Sequence, residues 1–178
     1  ELRLITEHAT QKESGRKTSG ILPVTVGFKT NLLQEKGIIP LTSFLGHLTL
    51  PHTGRKEFHT TYAAPAFRFA MQHTLSANIT LAYNLGAEWD GESPAETYIY
   101  SLTNGISISK TLGIYGEFYG YFPTQEKANH FFDCGVTYLI NNNCIADFSG
   151  GFRLTGNELK NYIALGFSFR ADTRGNKR

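Results

Sequence analysis

Residues 161–170 read N-Y-I-A-L-G-F-S-F-R, and no helix can use that pattern. Ile163, Leu165, Phe167 and Phe169 alternate with Tyr162, Ala164, Gly166, Ser168 and Arg170. A helix would scatter the two sets around its circumference, whereas a strand sorts them onto opposite faces. The polar set is unusual: small residues plus one charge, not the Lys/Glu/Thr mixture of a water-facing sheet. Bulky apolar residues on one side and small or charged ones on the other is the division a transmembrane barrel requires, with lipid outside and a crowded interior.

The same division recurs along the chain. Strands are expected over residues 21–32, 38–50, 66–73, 78–89, 96–109, 112–122, 130–140, 144–154 and 161–170, with a short alternating segment at 1–8. That is about ten strands of about ten residues, the length of a tilted membrane span. Residues 10–20 read as a polar loop. In 38–50 the two faces do not separate, which points to a bulge near Pro40 or Gly46. Asn104 falls on an otherwise apolar face. Connections alternate between short, near 35, 76, 110 and 142, and long, near 15, 58, 92, 126 and 157. Short turns on one side and long loops on the other mark outer-membrane barrels. The fold class expected is therefore all-β, an antiparallel up-and-down transmembrane β-barrel. It forms one domain over 1–178, with 1–19 a partial strand and loop and 171–178 a polar periplasmic tail. An even strand count puts both chain ends on the periplasmic side.

Composition agrees. Charged residues make up 18% of the chain, against about 25% in soluble domains. Phe and Tyr are abundant, at 13 and 9, and the net charge of +2 suggests no nucleic-acid partner. No apolar run approaches the ~20 residues of a membrane helix, which says nothing against a barrel. The chain opens on Glu1 rather than Met, so earlier residues are expected to be missing. The two cysteines are Cys134 and Cys144. A hairpin turning at 141–143 would hold them roughly 20 Å apart, too far for a disulfide. Two free thiols on the apolar face are expected.

Candidate site residues follow from the charges. Lys29, Arg68, Glu88, Glu117, Asp133, Asp147 and Arg153 all fall opposite the bulky apolar residues, and Tyr115 and Tyr119 join them. A Lys or Arg facing mid-bilayer lipid would cost about 2–4 kcal/mol, so these are assigned to the lumen. They either line a solute path or pair into a network filling the bore, with Glu117, Asp133 and Asp147 facing Arg68, Arg153 and Lys29. Leu81, Tyr83, Trp89, Phe118, Phe148, Phe167 and Phe169 are assigned to lipid, with aromatics gathering at strand ends as interfacial girdles. No catalytic residue, cofactor or metal is assigned. His52 and His59 share a loop with Glu57 but lack a metal-binding spacing. Ser43 and His47 would lie ~13 Å apart on a strand, too far for a nucleophile and its base.

Several segments taken together resemble a known family. They are G-F-K-T-N-L-L-Q-E-K-G at 27–37, L-T-L-P-H-T-G at 48–54, L-A-Y-N-L-G-A-E-W-D-G at 81–91, G-E-F-Y-G at 116–120, F-D-C-G-V-T-Y-L-I at 132–140, A-D-F-S-G-G at 146–151 and L-G-F-S-F-R at 165–170. Their order and spacing over residues 20–170 resemble the phenol-degradation meta-pathway outer-membrane proteins. The resemblance implies a transporter-like barrel of about twelve strands, so that strands would precede Glu1. It carries over no catalytic residues. The aromatic-rich last strand also resembles the C-terminal signal of outer-membrane barrels, although here a polar tail follows it.

The function expected is a non-enzymatic transporter- or channel-like barrel in the outer membrane of a Gram-negative-type bacterium. Its solutes would be small apolar compounds, and its partners membrane lipid and other outer-membrane proteins. Two alternatives stand beside it. One is a plugged structural or accessory barrel subunit of a larger complex. The other is a soluble lipocalin-like ligand-binding barrel with its faces inverted.

Overall fold

The computed structural model describes residues 1–13, 15–156 and 161–170. The tail at 171–178 and part of the connection before the last strand, 157–160, lie outside the described residues. The fold is all-β. Among the described residues twelve strands run in chain order: β1 (Leu2–Ile5), β2 (His8–Glu13), β3 (Arg16–Ile21), β4 (Thr25–Leu33), β5 (Leu41–Thr49), β6 (Ala64–Thr74), β7 (Ile79–Trp89), β8 (Glu96–Ser107), β9 (Leu112–Pro123), β10 (Asn129–Asn141), β11 (Cys144–Arg153) and β12 (Asn161–Phe169). The only helical element described is a single 3₁₀ turn, Lys56–Phe58.

Ten strands form one antiparallel sheet in the order β1-β4-β5-β6-β7-β8-β9-β10-β11-β12. From β4 onward each strand pairs with its neighbour along the chain, the up-and-down order expected, and β1 pairs with β4. The one excursion is a separate hairpin of β2 and β3, where the sequence had read as a loop. This segment is polar on both faces, so no alternation marks it. Gly15 supplies the turn at φ +83°, and Thr10 and Ser19, directly opposite, share a 2.8 Å hydroxyl hydrogen bond.

The chain divides into two compact units. One comprises Glu1–Gln72, Tyr83–Tyr100 and Tyr121–Ala128; the other comprises His73–Ala82, Ser101–Gly120 and Asn129–Arg178. In the first, β4, β5 and β6 set the register. Val26 lies opposite Leu48, while Lys29, Leu45 and Arg68 form a row on the other face. This resolves the ambiguity in 38–50. β5 starts only at Leu41, after Pro40, and the register shift falls in its partner, between Asn31 and Leu33. In the second, β10, β11 and β12 carry Val136, Phe148 and Leu165 in one row. The adjacent row on the opposite face is Thr137, Asp147 and Gly166.

The apolar face is not a buried core. Among the described residues no large side chain is fully buried, and the buried apolar residues are Ala64, Ala87, Ile99 and Cys144. The large apolar side chains instead contact one another across the open face of each unit. Phe44 meets Phe28 at 5.8 Å and Phe69 at 5.2 Å between ring centroids. Phe132 meets Phe118 at 4.8 Å and Phe152 at 5.7 Å. Such cross-strand aromatic pairs stabilise a sheet without needing a second layer above them. Both cysteines are free, Cys134 exposed and Cys144 buried.

Candidate functional site

The polar face carries the candidate site, and each unit contributes its own cluster. In the first, Arg68 Nη2 lies 3.2 Å from Glu88 Oε2, an ion pair between β6 and β7. Lys29 shares the Arg68 row, with Leu45 between them. One step along, His47 sits between Gly27 and Ala66. A side chain at position 27 would collide with the His47 ring, since a Cβ there would lie 2.2 Å from His47 Cδ2. His47 Nε2 is buried without a hydrogen-bond partner. Hydroxyl and amide pairs fill out this face: Thr25 with Thr49 at 2.7 Å, and Ser43 Oγ donating to Asn31 Oδ1 at 2.9 Å. Ser43 thus serves the sheet rather than His47.

The second unit holds the denser cluster. Asp133 on β10 is 6% exposed, the most buried charged group described. The Tyr162 hydroxyl on β12 donates to Asp133 Oδ2, while Oδ1 is left without a partner. Tyr162 is also hydrogen-bonded to Tyr119, whose ring stacks on Phe131 at 5.0 Å and 11°. Between Asp133 and Tyr162 in the register lies Gly151. A Cβ at Gly151 would come within 2.6 Å of the Tyr162 ring and 2.7 Å of Asp133 Cβ, so only glycine permits this contact. Gly135 does the same for Tyr115, whose ring covers it, and the Tyr115 hydroxyl bonds to Ser149. The Asp147 carboxylate lies over Gly166, directly opposite it on β12. Glu117 accepts a 2.8 Å hydrogen bond from Thr103 Oγ1. Arg153 bonds to the Asn129 side chain, and its Nε is buried without a partner.

In the first unit Lys29 and Arg68 share a row and Arg68 pairs with Glu88; in the second, Asp133, Asp147 and Arg153 share one face of β10 and β11. Glu117 and Asp133 are held by hydroxyls, not by arginines. Arg68 pairs with Glu88, and Arg153 with a neutral amide. Alternation assigns a residue to a face; only the register between strands decides which row it occupies. Tyr162, Ser149 and Thr103 were missed as site residues for that reason, although the parity of residues 161–170 already placed Tyr162 on the polar face.

On the other face, Phe118, Phe148, Phe167 and Phe169 are exposed, Phe148 by 53% and Phe167 by 67%. Leu81, Tyr83 and Trp89 are half-buried. Leu81 borders a shallow depression with Ile106, Ile114 and Phe118 that also contains Asn104. Trp89 packs on Phe67 at 6.4 Å. In the 51–63 connection the His52 and His59 rings meet at 5.6 Å, but Arg55 holds the Glu57 carboxylate at 2.9 Å. Among the described residues no group of three or more His, Cys, Asp or Glu could hold a metal ion.

The class these features define is an all-β, ten-stranded antiparallel meander in which each unit carries bulky apolar residues on one sheet face and charges on the other. The chain belongs to the family described as the MetA-pathway of phenol degradation, whose profile matches residues 1–171. A search of curated proteins returns no match to this chain.

Proposed function

We propose that the chain is a non-enzymatic outer-membrane β-barrel that acts as a transporter or channel for small apolar compounds in a Gram-negative-type bacterium. The observation carrying this reading is the inverted distribution of side chains. Phe148 and Phe167 are more than half exposed, while Asp133 is buried. In water, exposing that much aromatic surface is unfavourable, at about 25 cal/mol per Å². In a bilayer the same surface is solvated by acyl chains, and the interior takes the charges. The sheet would close, because unpaired edge groups in hydrocarbon cost several kcal/mol each. The family's tie to phenol degradation supports a small aromatic or apolar cargo. The soluble lipocalin-like reading requires buried Phe and exposed Asp, the opposite arrangement.

A second reading, the plugged accessory barrel, is favoured by one observation: the hydrogen-bonded cluster of Tyr119, Tyr162 and Asp133 occupies the polar face. Its partners would be other outer-membrane proteins. Planar-bilayer recording of the purified chain separates the two. Stepwise conductance supports the open channel. A sealed membrane with the protein inserted supports the plug.

A further inference from the structure

At the end of the first unit that carries the longer connections, a cleft of about 470 Å³ opens between residues 62–65 and 89–94. Tyr62, Pro65, Trp89, Gly91, Ser93 and Pro94 line it, and none of its lining residues is charged. Its walls are flat: an indole, a phenol and two pyrrolidine rings.

The two connections that form it are tied together. The Tyr62 amide donates to the Gly91 carbonyl at 2.7 Å. Thr61 Oγ1 donates to Glu92 Oε2 at 2.7 Å, and its amide to Glu92 Oε1 at 3.3 Å. Asp90 Oδ1 accepts from the amides of Glu92 and Ser93 at 2.8 and 2.9 Å. Gly91 adopts φ +75°, and a Cβ there would lie 2.7 Å from the Tyr62 carbonyl oxygen. A backbone that only glycine can follow draws the walls together. Trp89 is braced from behind by Phe67. The Tyr62 side chain, in contrast, is 63% exposed, and its hydroxyl has no partner among the described residues. Trp89 is thus packed against a neighbouring ring, whereas Tyr62 offers the cleft an exposed ring with an unused hydrogen-bonding group.

We infer that this cleft is a binding site for a planar, uncharged ring compound, held between Trp89 and Tyr62. The volume lies within the roughly 300–1,000 Å³ of small-molecule pockets. The lining excludes ions, which would find no counter-charge. Flat aromatic walls favour a flat guest, because stacked or edge-on rings add to simple burial. The free Tyr62 hydroxyl further accommodates a hydroxyl on the guest's rim. The biological sense of the site rests on the solute-handling reading above; its test does not.

Trp89 is the chain's single tryptophan, so emission excited selectively from tryptophan, at the red edge where the nine tyrosines do not absorb, reports on this cleft. The test is a titration of the detergent-dispersed protein with toluene, and in parallel with methylcyclohexane, which is similarly apolar but not flat. The expected result is a saturable change in Trp89 emission with toluene. Methylcyclohexane should bind about tenfold more weakly, and Tyr62→Ala should weaken toluene by a similar factor. Tyr62→Phe, which keeps the ring and the backbone tie, should retain it. A linear response, equal responses to the two compounds, or indifference to Tyr62→Ala would mean mere partition into detergent or occupancy by an acyl chain, and would overturn the inference. Saturable binding without bilayer conductance would leave this site standing and remove the channel reading; conductance without binding would do the reverse.

Discussion

Tyr162 on the last strand reaches across Gly151 and donates its hydroxyl to the buried carboxylate of Asp133 two strands away. Asp133 Oδ1 has no partner, so this is the carboxylate's one direct hydrogen bond. Removing it by Tyr162→Phe should therefore destabilise the protein by about 1–3 kcal/mol, the cost of leaving a buried acceptor unpaired. Urea unfolding in detergent checks this. Tyr138→Phe, on the exposed apolar face, should change stability far less.

Gly135 lies under the Tyr115 ring, and a Cβ there would sit 2.6 Å from Tyr115 Cε1. Gly135→Ala should cost about 1–3 kcal/mol through this overlap. In the double variant with Tyr115→Ala most of that cost should vanish, because the atoms that collide are gone. A double-mutant cycle measures the coupling, and additive effects would show that the ring does not rest on the glycine.

The strands of the ten-stranded sheet are legible in the sequence; the contacts between them are not. Ile163, Leu165, Phe167 and Phe169 declare their strand by alternation alone. The β2–β3 hairpin carries polar pairs on both faces, Thr10 with Ser19 and Lys12 with Lys17 on one and Gln11 with Thr18 on the other, leaving no period to detect. A bulge was expected near Pro40 or Gly46, but the proline simply precedes β5 and the irregularity lies in β4 between Asn31 and Leu33. The Asp133–Tyr162 contact depends on the stagger of three strands, which short polar turns do not encode. Parity alone puts Trp89 among the residues expected to face lipid; its cleft depends on how two connections fold against each other.

Asp90 should confer acid sensitivity on the 90–95 connection. The amides of Ser93 and Glu92 hold its carboxyl below the ordinary value of 3.8. The folded value is depressed, so the stabilisation is fully present above 3.8 and is lost as pH falls through the folded value. Limited proteolysis of this connection should accelerate only below that range. Asp90→Asn, whose amide oxygen can accept the same two bonds, should abolish the pH dependence while keeping the turn. Asp90→Ala should open it at every pH.

Phe148 sits midway along β11 on the apolar face, 53% exposed. In lipid vesicles Phe148→Arg should cost about 2–4 kcal/mol. On a water-facing surface the same change would fall within about 0.5 kcal/mol of zero. Equilibrium unfolding in vesicles distinguishes the two.

The most direct test places nitroxide labels at neighbouring positions, Phe148→Cys and Asp147→Cys, in a chain with Cys134 and Cys144 replaced by alanine. Collision rates with oxygen and with a water-soluble nickel chelate are then measured in vesicles. The label at 148 should meet oxygen and exclude the chelate, and the label at 147 should show the lower oxygen exposure. Chelate access at 148 equal to or greater than that at 147 would mean the bulky apolar face does not contact lipid.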